Sequence, residues 1–261
     1  MLAVERRELL LERLARDGRL VAKDIAVELD LSEDSIRRDL RDLAAAGLCQ
    51  RVYGGAVPVS PALVEYPARQ HVAVASKQRV AAAAARLVVP GTTVILDGGT
   101  TTLAIAQLLP LDLRATVITH SPTVASALVD HHEIDLYVLG GRIYKHSMVA
   151  CGAMAVEAAA AVSADLFFLG VTGVHHTAGL TTGDAEEAAM KRALAARCAD
   201  TYVLASSEKV GMASPFAVLP LDAATGIITD ADADSRAVHD LTVASARLIL
   251  VGAGGADTPP A

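Results

Sequence analysis

The sequence predicts an α/β protein in two unequal parts: a small helical unit closed by a β-ribbon, then a larger, mostly parallel sheet layered with helices. Three observations carry this. Residues 22–46 hold two amphipathic segments joined by a tight turn through Asp30-Leu31-Ser32. A strand-like run at 48–53 follows, closed by Gly54-Gly55. From residue 77 onward, apolar strand-like runs alternate with helical periods, the pattern of βαβ units. At 261 residues the chain exceeds one average domain. With 52% hydrophobic but 3% aromatic residues, its cores must be packed from aliphatic side chains.

The N-terminal stretch MLAVERRELLLERL reads as an amphipathic helix. Glu5, Glu8 and Glu12 interrupt its apolar face, so it lacks the continuous apolar core of a signal peptide, and a cytoplasmic location is expected. No uncharged apolar run reaches membrane-spanning length, so no membrane partner is expected. The three cysteines, Cys49, Cys151 and Cys198, are far apart, giving neither a disulfide framework nor zinc spacing. The pairs His131-His132 and His175-His176 have neighbouring side chains that point apart and no cysteine nearby, so no metal and no cofactor is expected.

The next helix is the more informative one. Ser32 can cap it, and Ile36, Leu40 and Leu43 form one buried stripe at spacings of four and three. Arg37, Arg38 and Arg41 stay outside that stripe, free to meet a partner. Gly47 ends the helix as a residue with positive φ does. Helix, tight turn, helix and a small β-wing is the layout of a winged helix-turn-helix, which lays its second helix in the DNA major groove. The expected DNA contacts are Ser32, Ser35, Arg37, Arg38 and Arg41 on the helix, with Arg51 and Tyr53 on the wing. Charge does not simply agree. The chain's net charge is −7, and residues 1–57 carry ten Lys/Arg against eleven Asp/Glu. Counterion release depends on local charge, however, and residues 35–57 hold four Arg against two Asp. A three-helix unit that binds protein is the alternative.

Pro58-Val59-Ser60-Pro61 and Tyr66-Pro67 punctuate a stretch with no clear period, which divides the chain into 1–57, a linker at 58–76 and a sheet domain at 77–252. Helices are expected over 77–88, 102–109, 122–129, 151–162 and 185–199. Strands are expected over 92–96, 115–119, 135–139, 165–169, 201–204, 226–229 and 247–251. A disordered tail is expected at 253–261.

Chemistry gathers where the strands end. The first runs into Asp97-Gly98-Gly99-Thr100-Thr101-Thr102 and then a helix. Glycines allow close backbone approach, free helix N–H groups attract an anion, and threonine hydroxyls add donors. This is neither a Walker A loop nor a GxGxxG fingerprint, and a plain strand-to-helix turn also favours Asp and Gly. The theme repeats, with His120-Ser121 after the second strand, Gly140-Gly141 after the third, and Gly170 and Gly173 after the fourth. Ligands of open α/β sheets bind outside the carboxyl ends of strands, so these loops point to a small anionic ligand. Later, Asp184, Glu186 and Glu187 open a helix, where helix capping and ion pairs to Lys191 and Arg192 also account for acids. Lys209 leaves another strand end and can meet a phosphate as a point charge.

These residues resemble the DeoR-type family of bacterial sugar-catabolism regulators over nearly the whole chain. The N-terminal signature is matched by Ser32-Glu33-Asp34-Ser35-Ile36-Arg37-Arg38-Asp39-Leu40 with Gly47, Arg51 and Gly54-Gly55-Ala56, with Ser35 where Thr is usual. The family's Asp-x-Gly-Thr-Thr loop is matched by Asp97, Gly99, Thr100 and Thr101. Its Gly-Gly is matched by Gly140-Gly141, and its Gly-Leu-Thr with a downstream Glu by Gly179-Leu180-Thr181 and Glu186. Two positions depart: His120 stands where Asn is usual, and Ser206 replaces the Asp of an Asp-Ser-Ser-Lys pattern ending at Lys209. The resemblance implies a sheet domain similar to ribose-5-phosphate isomerase that binds a phosphorylated sugar or polyol. It also implies a repressor of a carbohydrate operon that acts on operator DNA as a homodimer or homotetramer. The implied effector set is Asp97, Gly98, Gly99, Thr100, Thr101, Thr102, His120, Ser121, Gly140, Gly141, Gly170, Gly173, Glu186 and Lys209. The competing function is a sugar-phosphate isomerase-like or transferase-like enzyme with a DNA-binding appendage. Asp97, Glu186, Glu187 and Lys209 could supply its acid–base groups, but an enzyme has no need of a winged helix.

Overall fold

The structure is a computed structural model that describes residues 2–63 and 65–252. The tail expected at 253–261 lies outside the described residues.

The N-terminal unit runs α1 (Ala3–Asp17), β1 (Leu20–Val21), α2 (Ala22–Glu28), α3 (Glu33–Ala45), β2 (Gln50–Val52) and β3 (Gly55–Val57). The stripe Ile36, Leu40 and Leu43 is buried with Leu10, Leu14, Leu20 and Ile25, one core shared by all three helices. Ser32 caps α3, its hydroxyl accepting from the Ser35 N–H at 3.2 Å. At the other end Gly47 has φ +73°, its N–H donates to Ala44 O at 3.0 Å, and the Leu48 N–H reaches back to Leu43 O at 3.0 Å. Those two bonds make a Schellman stop, which needs the left-handed conformation glycine takes without a Cβ penalty. The ribbon gains a third strand, because β1 pairs with β3.

Residues 58–76, expected as a linker, contain a 3-10 turn at Pro61–Leu63 and α4 (Tyr66–Arg69). The segment is fastened to the sheet domain. Ser60 donates its hydroxyl to Thr172 O at 2.5 Å, and Tyr66 donates to the Thr123 hydroxyl at 3.2 Å. A strap therefore describes residues 58–73 better than a tether.

The sheet domain continues with α5 (Val74–Ala85), β4 (Thr93–Leu96), α6 (Thr100–Leu108), β5 (Ala115–Thr119), α7 (Pro122–Ala127) and β6 (Ile134–Val138). Then come β7 (Arg142–Tyr144), β8 (Val149–Cys151), α8 (Ala153–Ala160), β9 (Ala164–Gly170), β10 (Gly173–His175), β11 (Gly179–Thr182) and α9 (Ala185–Ala195). It closes with β12 (Cys198–Leu204), β13 (Phe216–Leu219), β14 (Gly226–Thr229), α10 (Arg236–Val243) and β15 (Leu248–Leu250). Seven of these strands form one parallel sheet in the order β15-β14-β12-β9-β4-β5-β6. Alternate residues serve opposite faces. Ile95, Phe167, Leu169, Val203 and Ile227 pack against α8, α9 and α10. Val94, Leu96, Phe168, Leu204 and Ile228 pack against α5, α6 and α7. Being covered on both sides is what makes these strands read as continuous apolar runs.

Strand order reverses between β4 and β9, so the crevice of this doubly wound sheet opens above their carboxyl ends. Two small antiparallel sheets, β7-β8 and β10-β11-β13, add Ser147 from the β7–β8 turn and Thr182 of β11 to its lining.

Candidate functional site

Two surfaces carry chemistry. On the winged helix, α1 neutralises the acids behind α3. Asp39 is buried and accepts from Arg6 and from Arg7 Nε (3.2 Å), and Arg7 also bonds Asp42. That pairing removes negative charge from the helix without using its outward arginines. Arg37 is held by Glu33 one turn earlier, at 2.6 Å. Arg38, Arg41 and Arg51 are exposed and, among the described residues, in no ion pair. A groove between α3 and the wing is lined by Arg37, Leu40, Arg51, Val52 and Tyr53, and Tyr53 is 97% exposed at the wing turn. Ser32 and Ser35 join hydroxyls at 2.9 Å within the cap.

The second surface is the crevice, and its floor is Asp97 at the end of β4. This carboxylate is fully buried and surrounded by donors. Oδ1 accepts from Gly98 N at 2.7 Å and faces His120 Nε2 at 2.7 Å. Oδ2 accepts from Gly170 N at 2.8 Å and from Lys191 Nζ at 2.5 Å. Burial would raise its pKa, but the Lys191 ammonium and the His120 ring outweigh that and hold the carboxyl well below the usual carboxylate range. Lys191 in turn lies 3.5 Å from Glu187, and its own pKa is raised because Asp97 and Glu187 outweigh desolvation. Glu187 also accepts from the Thr182 hydroxyl at 2.6 Å. His120 sits across from Asp97 with Nδ1 2.8 Å from Ala150 O, so the ring bridges two acceptors on opposite sides. An amide at this position carries both donors on one nitrogen and cannot span that gap in the same way.

Above the floor the balance changes. The cleft is lined by Gly98, Gly99, Thr100, Thr101 and Thr102, by Gly170–Thr172, by Glu187 and Lys191, and by Glu208 and Lys209. The strap and α5 add Ala62, Arg69, Val72 and Lys77. Arg69 is buried. Its Nη2 donates to His146 O at 2.8 Å, while its Nε has no hydrogen-bond partner. The Thr101 hydroxyl is likewise buried and unpartnered. Lys77 donates to Arg69 O at 2.5 Å, and Lys209 makes one long bond, 3.4 Å to Leu204 O. Burial lowers the pKa of all three cations, Lys209 to about 8, where its neighbours Lys77, Arg69 and Lys191 add to the effect and Glu208 opposes it. Cations crowded and desolvated at a helix N-terminus, with Arg69 Nε and the Thr101 hydroxyl unpartnered, make an arrangement suited to an anion.

Not every residue marked in the sequence reaches this cleft. Gly98–Thr102, Gly170 and Lys209 line it, and Asp97 and His120 lie directly beneath. Ser121 is buried, donating its hydroxyl to Met148 O at 3.1 Å. Gly140 and Gly141 lie off the lining, where a Cβ at Gly141 would come within 3.0 Å of Ala155 and of Cys151 O. Gly173 packs on the 212 backbone, since a Cβ there would meet Met212 O at 2.5 Å. Glu186 is turned out to solvent and pairs with Arg142, because the register of α9 points Glu187 inward instead. Arg69, Lys77, Lys191 and Glu208 were not expected in the site, and Glu187 was expected there only as an acid–base group of the competing enzyme reading. The Glu187/Lys191 spacing of four was visible, but it is equally the spacing of a surface ion pair.

Residues 72–231 match the model of the DeoR C-terminal sensor domain, and residues 6–62 match that of the DeoR-like helix-turn-helix domain. The chain is 32% identical over 241 residues to the HTH-type transcriptional regulator GlpR of Haloferax volcanii, covering 90% of this chain and 94% of that protein. It is 30% identical over 228 residues to the HTH-type transcriptional repressor GlcR of Bacillus subtilis, covering 87% and 88%. Among solved structures, ribose 5-phosphate isomerase A of Methanocaldococcus jannaschii overlaps 51% of this chain and 52% of its own at 21% identity, with a TM-score of 0.38. With a winged helix whose arginines face outward and a parallel sheet whose crevice is short of negative charge, the chain belongs to the DeoR family of transcription regulators, and its sheet domain is that family's sensor rather than an enzyme.

Proposed function

We propose that this regulator represses a carbohydrate catabolic operon and releases its operator when a phosphorylated sugar or polyol fills the crevice. One observation carries the effector half of this reading. Arg69, Lys77 and Lys209 converge on the threonine loop, where Arg69 Nε and the Thr101 hydroxyl have no partner, and two of the site's acids, Asp97 and Glu187, are already occupied by Lys191, His120 and Thr182. A phosphate dianion supplies what is missing, and Glu208, whose Oε2 is buried without a partner, suits a sugar hydroxyl. In this reading Asp97 and His120 hold the loop from below and do not touch the ligand. The operator half rests on Arg38 and Arg41, exposed on α3, and on Arg51 and Tyr53, which line the groove between α3 and the wing. A single winged helix with so modest a local charge excess binds weakly, so the working species is a dimer or tetramer on repeated half-sites.

Calorimetry against sugar phosphates and the matching free sugars tests the site. Binding should require the phosphate and be lost in Arg69→Ala and Lys209→Met. Preference for a free sugar, or full affinity in both variants, overturns it. Light scattering that gives a monomer with and without operator DNA overturns the oligomeric half.

A further inference from the structure

The sensor cleft and the winged helix are joined by more than the strap. Arg19, in the turn between α1 and β1, crosses to the sheet domain. Its Nη1 donates to Asp240 of α10 at 2.9 Å and lies 3.3 Å from His176 Nε2. His176 stacks on His175, with ring centroids 4.3 Å apart, and His175 is buried with its Nδ1 accepting from Thr177 N at 3.2 Å. Asp17 and Gly18 from the winged helix line the same recess as Val210, Gly211, Met212, Ala237 and Asp240.

The far side of this seam is the effector loop itself. Lys209 is in the cleft. Two residues on, the Gly211 N–H donates to Val174 O at 2.9 Å, beside His175. Gly211 has φ +82°, and a Cβ there would come within 3.1 Å of Ala237 Cβ on α10, one turn from Asp240. Residues 209–211 are thus a wedge with one end among the cleft cations and the other against the helix that holds Arg19. Lys209 is also the loosest cation of the set, its one bond being 3.4 Å long, so a dianion can draw it off Leu204 O.

We propose that the Arg19–Asp240 contact is a latch between the two domains, and that an anion engaging Lys209 releases it through residues 210 and 211. This rests on the cleft's being an anion site. Closed, the latch fixes the winged helix on the sensor domain. Released, it leaves the winged helix held by the strap and by the packing of Asp17 and Gly18 in the recess. Coupling is reciprocal, so if anion binding opens the latch, opening the latch must tighten anion binding by the same factor.

The test uses the full chain and inorganic phosphate as the probe. Phosphate affinity is measured by calorimetry for the wild type, Asp240→Asn, Arg19→Gln, and Arg114→Gln as a surface ion-pair control. Both latch variants should bind phosphate roughly fivefold or more tightly, the lower range of allosteric coupling, with the control unchanged. Hydrogen exchange over 17–22 and 236–243 should rise in the wild type on adding phosphate, and in the latch variants without it. If the wild type binds phosphate while neither latch variant changes its affinity, the latch is refuted and the cleft stands. If phosphate binds none of the four proteins, the cleft reading fails and the latch with it.

Discussion

Asp97→Asn is the sharpest probe of the sensor floor. The substitution keeps the shape and one carbonyl oxygen but removes the charge that holds Lys191 at 2.5 Å and faces His120 at 2.7 Å. Four donors converge on two oxygens in the native protein, and an amide NH2 in place of Oδ2 points hydrogens at Lys191 Nζ and Gly170 N–H. Breaking a fully buried ion pair from one side costs about 3–5 kcal/mol, because the surviving charge stays desolvated. Set against a typical net stability of ~5–15 kcal/mol, that is about a fifth of the total or more. Urea melting of the sheet domain should therefore show a fall of that size in ΔG with an unchanged m-value. The double variant with Lys191→Met removes the stranded charge, so its loss should be smaller than the sum of the two single losses. The pH dependence has a definite sign. Because the folded-state pKa of Asp97 is depressed, its stabilisation is complete above the ordinary carboxylate range and is drawn down as pH falls below it. A loss under 1 kcal/mol for Asp97→Asn, or strict additivity with Lys191→Met, would refute the buried-hub argument.

Other outcomes follow from the same geometry. Phosphate affinity should fall as pH rises through about 8, where Lys209 of the free cleft loses its proton; calorimetry in buffers of different ionisation enthalpy should show proton uptake on binding there. Arg38→Ala and Arg41→Ala should each weaken operator binding, by about 1–3 kcal/mol where the side chain reads a base, or with a salt slope smaller by about one where it meets a phosphate. Anisotropy titrations across a range of salt separate the two, and no change in either variant would remove α3 from the DNA. Gly55→Ala puts a Cβ 1.7 Å from Leu20 O, a backbone clash no rotamer relieves. It should open the β1–β3 pairing at or beyond the ~1–3 kcal/mol usual for overpacking, seen as an earlier winged-helix melt with phosphate binding intact.

Much of the architecture was legible because it rests on short-range pattern. Ser32, the Ile36/Leu40/Leu43 stripe and Gly47 define α3 within one stretch of chain. The strands covered on both faces announce themselves as apolar runs, and the run at 226–229 coincides with β14. What stayed hidden has long-range causes. The short strands β7, β8, β10, β11 and β13 are held by pairing to one another, and no local period marks them. The turn from Glu186 to Glu187 is a matter of helix phase, decided by Lys191 pairing inward with Asp97, ninety-four residues away in sequence. Arg69 was invisible as a ligand group because its segment carries proline punctuation and no alternation, so only the folded strap shows where it arrives, and Lys77 read only as the start of a helix.

That strap bears on how such a protein can be taken apart. The wing's last strand ends at Val57, Ser60 is already bonded to the sensor at Thr172, and Ala62 already lines the cleft. No spacer separates the two domains, and the chain that leaves the winged helix becomes a wall of the sheet domain's cleft within five residues. Hybrid regulators that borrow this sensor for a foreign winged helix should therefore be joined directly after residue 57. A junction placed after residue 69 exchanges Arg69 along with the reader, and with it the Ser60 and Ala62 contacts to the sensor. Such a hybrid would inherit the donor's anion preference as well as its operator.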